Sequence, residues 1–196
     1  MISGQEIARA LTGSWLLLKN RPEGMLWFDR SMEGFWRSFG VVFLILPFFW
    51  INQLADKQQI LENAQLAAEL FPNGKFWTVQ LTSLALDWTV FPIVLAALAG
   101  PIGISKNYVS FIVVRNWTNI LVSVPFLLAG LLYLAGIISS EILDLISLSL
   151  MGVVLWYNFN IARIALQAGL SVTLGVVVLD LVLSFFIWGL VLRVLG

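Results

Sequence analysis

Long apolar runs recur five times along the chain, separated by short polar breaks, and this pattern dominates every other feature of the sequence. The runs cover about residues 33–54, 77–99, 108–136, 142–166 and 171–194. A hydrocarbon core of about 30 Å needs about 20 residues of helix, and each run meets that length. The pattern predicts an all-α fold: a polytopic membrane helix bundle of five transmembrane helices over residues 33–195. Pro47, Pro92 and Pro125 fall inside three of the runs, where a missing N–H predicts a kink. Residues 55–76 are the only sizeable loop, with a short helix of their own predicted from Ile60, Leu61, Ala64, Leu66, Ala67, Ala68 and Leu70, ended by Pro72-Asn73-Gly74.

Residues 1–32 carry a different period. Ile7, Ala10, Leu11, Ser14, Trp15 and Leu18 recur at helical spacing, with Glu6, Arg9 and Lys19 off that stripe. Ser3-x-x-Glu6 is a capping box, so an amphipathic helix over 3–19 is expected. It is too short and too polar to span, and its stripe fits a cytoplasmic helix lying in the membrane interface with Trp15 at headgroup level. The alternative is a helix packed on the bundle. Pro22 and Gly24 mark the break after it. No basic n-region precedes a short apolar core here, so a cleaved signal peptide is not expected and the chain is read as starting at or near Met1.

Composition narrows the chemistry. Hydrophobic residues make up 60% of the 196 positions and charged residues only 11%, against about 25% charged in soluble domains. Mean hydropathy is +0.93. Eleven basic residues balance eleven acidic ones, so no bulk field points to nucleic acid, which is not expected as a partner. Cysteine and histidine are absent. That removes disulfides, thiol and imidazole catalysis and the usual ligands of zinc, copper and haem, and no metal or cofactor is expected. No GxGxxG, P-loop, GxSxG or HExxH motif occurs.

Lys and Arg set the expected orientation. Arg9, Lys19, Arg21, Arg30, Arg37, Lys106, Arg115 and Arg163 fall on the side of the N-terminus, and Lys57, Lys75 and Arg193 on the other. Eight against three places the N-terminus in the cytoplasm and the C-terminus outside, across a bacterial inner membrane.

Polar residues inside the runs form stripes. Gln80, Ser83 and Asp87 share a face of the second span; Arg115, Asn119 and Ser123 one of the third; Trp156, Asn160, Arg163 and Gln167 one of the fourth; and Thr173, Asp180 and Ser184 one of the fifth. Intramembrane ionisable groups face a bundle interior or a water-filled cavity. The candidate interior set is therefore Asp87, Arg115, Asn119, Asn160, Arg163, Asp180 and Ser184. Counting 1.5 Å per residue, Asp180 lies roughly 14 Å and Arg115 roughly 11 Å from the same end, a shared depth that predicts a pair. Arg163 is nearer the rim and is expected to snorkel or meet the N-terminal segment. Such residues either join helices to one another or line a proton or solute path.

Trp27, Trp36, Trp50, Trp77 and Trp188 lie near expected span ends, as in an aromatic belt. Glu33 and Arg37, four apart, are expected to pair. Trp15, Trp27, Trp36 and Arg37 form an aromatic–basic group suited to contact a partner.

The C-terminal half, with WYNFNIARIAL at 156–166, the turn QAGLS and the final span TLGVVVLDLVLSFFIW, resembles the Yip1-domain family of five-span membrane proteins over about residues 85–195. The Asp-Leu-Tyr-Gly-Pro signature of its eukaryotic members is absent, with Gly100-Pro101-Ile102-Gly103 the nearest turn. PEGMLWFDRSMEGFWRSF at 22–39 is also similar to small uncharacterised alphaproteobacterial membrane proteins. The Yip1-domain resemblance implies a scaffolding or trafficking role in the membrane. The reading that leads is a non-enzymatic scaffold or accessory subunit whose partners are the lipid bilayer and another integral membrane protein or a second copy. The alternative is a small proton- or solute-coupled transporter or channel using Asp87, Asp180 and Arg115, and a membrane enzyme ranks behind both.

Overall fold

The computed structural model describes residues 2–65 and 67–196. Met1, read as the start, and Leu66, one position of the predicted loop stripe, lie outside the described residues. Among the described residues the chain forms seven α-helices: α1 Gly4–Leu18, α2 Met32–Phe39, α3 Val41–Ala64, α4 Asn73–Ala99, α5 Tyr108–Leu134, α6 Ser140–Leu166 and α7 Leu170–Leu195. Short 3-10 turns occupy Pro22–Trp27 and Ala68–Leu70. Five helices, with α2 and α3 counted as one, are long and apolar enough to cross a membrane.

α1 starts where the capping box requires, with the Ser3 hydroxyl accepting from the Glu6 N–H at 3.1 Å. Its apolar side is packed on the bundle: Ala10, Ser14 and Leu17 are buried, and the Tyr157 hydroxyl of α6 donates to the Ser14 carbonyl at 2.7 Å. The packed alternative thus describes this side of α1, while Trp15 remains about half exposed. The 3-10 turn lies against α1 with backbone on backbone. A Cβ on Gly13 would stand 2.8 Å from the Gly24 carbonyl oxygen, and one on Gly24 would stand 2.6 Å from that of Gly13.

The first span differs from its predicted form. The helix breaks at Gly40 rather than running unbroken from residue 33, and the Trp88 indole of α4 donates to the Phe39 carbonyl at the break. α3 then continues ten residues past the predicted end at 54, so the short separate helix expected in the loop is the last part of α3. The reason is tertiary. Gln59 donates to Asp144 at 2.8 Å, and Tyr133 donates to Glu62 at 2.7 Å, so the neighbouring ends of α5 and α6 hold those extra turns. Gln65, in the left-handed region at φ 50°, ends the helix. Pro47, Pro92 and Pro125 all sit inside continuous helices.

α5 is the centre of the bundle. It packs against α1, α2, α3 and α6, and residues 111–114 and 116–118 are buried. The main core joins all seven helices, α3 through Val41 and Ile45, in the half of the bundle nearest the N-terminal segment. Towards the other end it divides into two smaller clusters, one around Ala55, Ala129, Tyr133 and Leu143 and one around Val79, Ile187 and Val191.

Candidate functional site

The burial of α5 decides where its one intramembrane charge points. With residues 111–114 and 116–118 enclosed, Arg115 is the half-buried position facing α4 and α7. Its Nη2 donates to Asp180 Oδ1 at 2.7 Å and its Nε to Oδ2 at 3.3 Å, a two-point fork. Both side chains keep less than a fifth of their exposure. Phe91 of α4 lies under the guanidinium, 4.4 Å from its centroid. Asp87, one turn before Phe91, has Ser184, Asp180 and Arg115 as its polar neighbours. One helix thus gives the cation and two others give a carboxylate each.

The cluster is tightly closed. The space beside the pair, lined by Phe91, Phe111, Asn158, Ile161 and Val176, measures about 10 Å³, close to the smallest volume that accepts one water. Arg115 Nη1 and, outside the lining of that space, Asp87 Oδ1 are buried without a partner among the described residues. A buried polar atom left this way costs on the order of 1–3 kcal/mol, so one water bonded to either of them would remove part of that cost.

The remaining predicted residues are not drawn into this cluster as a set. Asn119 is half-buried, and its carbonyl accepts from the Ser123 hydroxyl at 2.7 Å. Asn160 is buried, with Nδ2 unpartnered among the described residues. Arg163 is exposed at the end of α6. Trp156 and Gln167 are exposed too, which corrects the reading of the α6 stripe as an interior face. The buried face of α6 is centred on Tyr157, Ile161 and Ala165, so the polar row runs along its edge and only Asn160 turns in.

Residues not singled out from sequence complete the interior. Asn116, fully buried, donates to the Ser38 hydroxyl of α2 at 3.0 Å, and Asn107 donates to the Leu166 carbonyl at 2.8 Å. Asparagines beside a span signal helix joining only once the facing helix is known.

At the face carrying α1, Arg37 is an internal clamp. It bonds Glu6 of α1 at 3.3 Å, and also Asp29 and Glu33. The spacing rule finds Glu33, but Glu6 and Asp29 are brought in by the fold. Hydrogen bonds from the Ser31 hydroxyl and N–H, helped by Arg37, hold the Asp29 carboxyl below its ordinary pKa. Trp15, Trp27 and Trp36 of the same group are exposed, Trp36 the most.

These features define a class: a polytopic α-helical membrane protein with an ion-paired interior and a folded N-terminal module. No family model, curated protein or solved structure matches the chain.

Proposed function

We propose that the protein is a non-enzymatic membrane scaffold or accessory subunit that binds another integral membrane protein or a second copy of itself. The observation that carries this reading is the closure of the polar interior. The Arg115–Asp180 fork meets a space of about 10 Å³, which favours helix joining over conduction. Exposed Trp15, Trp27 and Trp36 on the N-terminal module supply a contact surface, and placing that module in the cytoplasm belongs to this reading. Membership of the Yip1-domain group is consistent with the five-span count and remains part of the proposal. The test is partner capture: Asp87→Asn, which leaves the Arg115–Asp180 fork in place, leaves the assembled complex and its pull-down intact. A protein that purifies alone, with no partner and no self-association, counts against the reading.

A second reading rests on one observation. Asp87 holds an unpartnered oxygen beside the pair, as a proton-carrying carboxylate would. A small proton-coupled transporter follows from it, and loss of proton flux in proteoliposomes carrying Asp87→Asn would select it over the scaffold.

A further inference from the structure

A wide cleft lies away from the ion pair, between the start of α1 and the segment 27–31. It measures about 700 Å³, and Ser3, Gln5, Arg9, Trp27, Arg30 and Ser31 are on its walls. That volume is within the range of small-molecule sites. The carboxylates on the same walls, Glu6 and Asp29, are both engaged by Arg37. Among the described residues Arg9 and Arg30 pair with no carboxylate. The clamp holds these carboxylates on Arg37, one cation shared with Glu33 as well, and leaves the guanidiniums of Arg9 and Arg30 without a carboxylate partner among the described residues. The Ser3 hydroxyl accepts from a backbone N–H, which leaves its own hydrogen to donate, whereas that of Ser31 is already given to Asp29.

The position of the cleft selects its ligand. α2 passes into α3 with only Gly40 between them, so the module is tied to the membrane surface within about nine residues, roughly 14 Å of helix. Leu26, Trp27, Met32 and Trp36, next to the cleft in the chain, are exposed. Aromatic side chains at such a position settle among lipid headgroups, and free cations there meet anionic phosphates. We propose that this cleft binds the phosphate of an anionic phospholipid headgroup, with Arg9 and Arg30 supplying the charge and Trp27 packing on the glycerol region. The inference does not require the scaffold reading. It requires only that the α1 face lies at the membrane surface.

Native mass spectrometry of the full chain in an uncharged detergent tests it, with phosphatidylglycerol, phosphatidylcholine and inorganic phosphate as probes. The wild type retains one phosphatidylglycerol per chain at concentrations where phosphatidylcholine is not retained. Replacing both cations, Arg9→Gln with Arg30→Gln, weakens retention about tenfold or more, since each surface cation contributes comparably to lipid attraction. Arg9→Lys with Arg30→Lys preserves retention, which separates charge from folding, and Lys75→Gln with Arg193→Gln at the far end leaves it unchanged. Equal retention of the two lipids by the wild type overturns the proposal, as does unaltered retention by the Gln pair. Displacement of the lipid by an equal concentration of inorganic phosphate also overturns it, because the site is then one for free anions.

Discussion

At the scale of single residues, two arginines organise the molecule by different physics. Arg115 and Asp180 are mostly withdrawn from solvent and share two contacts. Removing one partner of such a pair strands the other charge, at a cost of about 3 kcal/mol, whereas replacing both by apolar groups costs much less. Arg115→Leu alone is expected to lower the thermal midpoint in detergent sharply, and Arg115→Leu with Asp180→Leu to recover most of the loss. A double-mutant cycle measures the difference. Arg37 is more open and holds three carboxylates at once. Asp29 gives that cluster a pH signature. Its folded pKa is lowered, by the Ser31 hydrogen bonds first and the Arg37 charge after them. The stabilisation is present above the ordinary carboxylate pKa and is lost as pH falls through the lowered value. Limited proteolysis after residue 20 should therefore separate wild type from Asp29→Asn near neutral pH, and the two should converge in acid. The shared depth of Arg115 and Asp180 was legible in the sequence because rise per residue converts position into depth. The triple role of Arg37 was not, because Glu6 reaches it across 31 residues of chain.

At the scale of elements, α1 and the 3-10 turn approach each other backbone to backbone. Gly13 and Gly24 face each other there, and a Cβ on Gly13 would also stand 2.6 Å from Phe28 Cε2. Phe28 is itself buried, so it has little room to yield. Gly13→Val is expected to loosen the turn, with an overpacking cost of about 1–3 kcal/mol, seen as faster amide exchange in residues 22–31. Gly74→Ala, where a Cβ meets nothing within 4 Å, is the neutral control. The five spans were readable from apolar length alone, since the bilayer sets that length whatever the fold. Their ends were less readable. α3 outlasts its apolar run because Gln59 and Glu62 find partners on α6 and α5. At the break, the Phe39 carbonyl accepts from an indole 49 residues away in the chain. Polar residues at a span end are ambiguous between solvent and a neighbouring helix until packing is known.

At the scale of the whole molecule, charge and core are distributed unevenly in the same direction. The main core lies in the half nearest α1, and the other half divides into α3–α5–α6 contacts and α4–α7 contacts. The far end also carries Asp56, Glu62, Glu69, Glu141 and Asp144 against Lys57, Lys75 and Arg193, whereas the α1 end is basic. The proposed orientation follows from these two features: five crossings would put the termini on opposite sides, and the basic excess would mark the α1 side as cytoplasmic. A reporter that fluoresces only in the cytoplasm is expected to be bright when fused before residue 2 and dark when fused after Gly196, while a phosphatase active only outside gives the reverse. A bright C-terminal fusion would mean that one of the five helices does not cross. α7 is the least able to be that helix, because it is the most apolar of the five. The composite α2–α3 is the most able, because its break at Gly40 and its polar final turns allow it to lie partly along the surface. Trp50 tests that option directly: it stacks on Trp77 at 3.9 Å, a contact that requires α3 to reach the end where α4 begins. Trp50→Ala should therefore leave the N-terminal fusion bright and shift only the thermal midpoint.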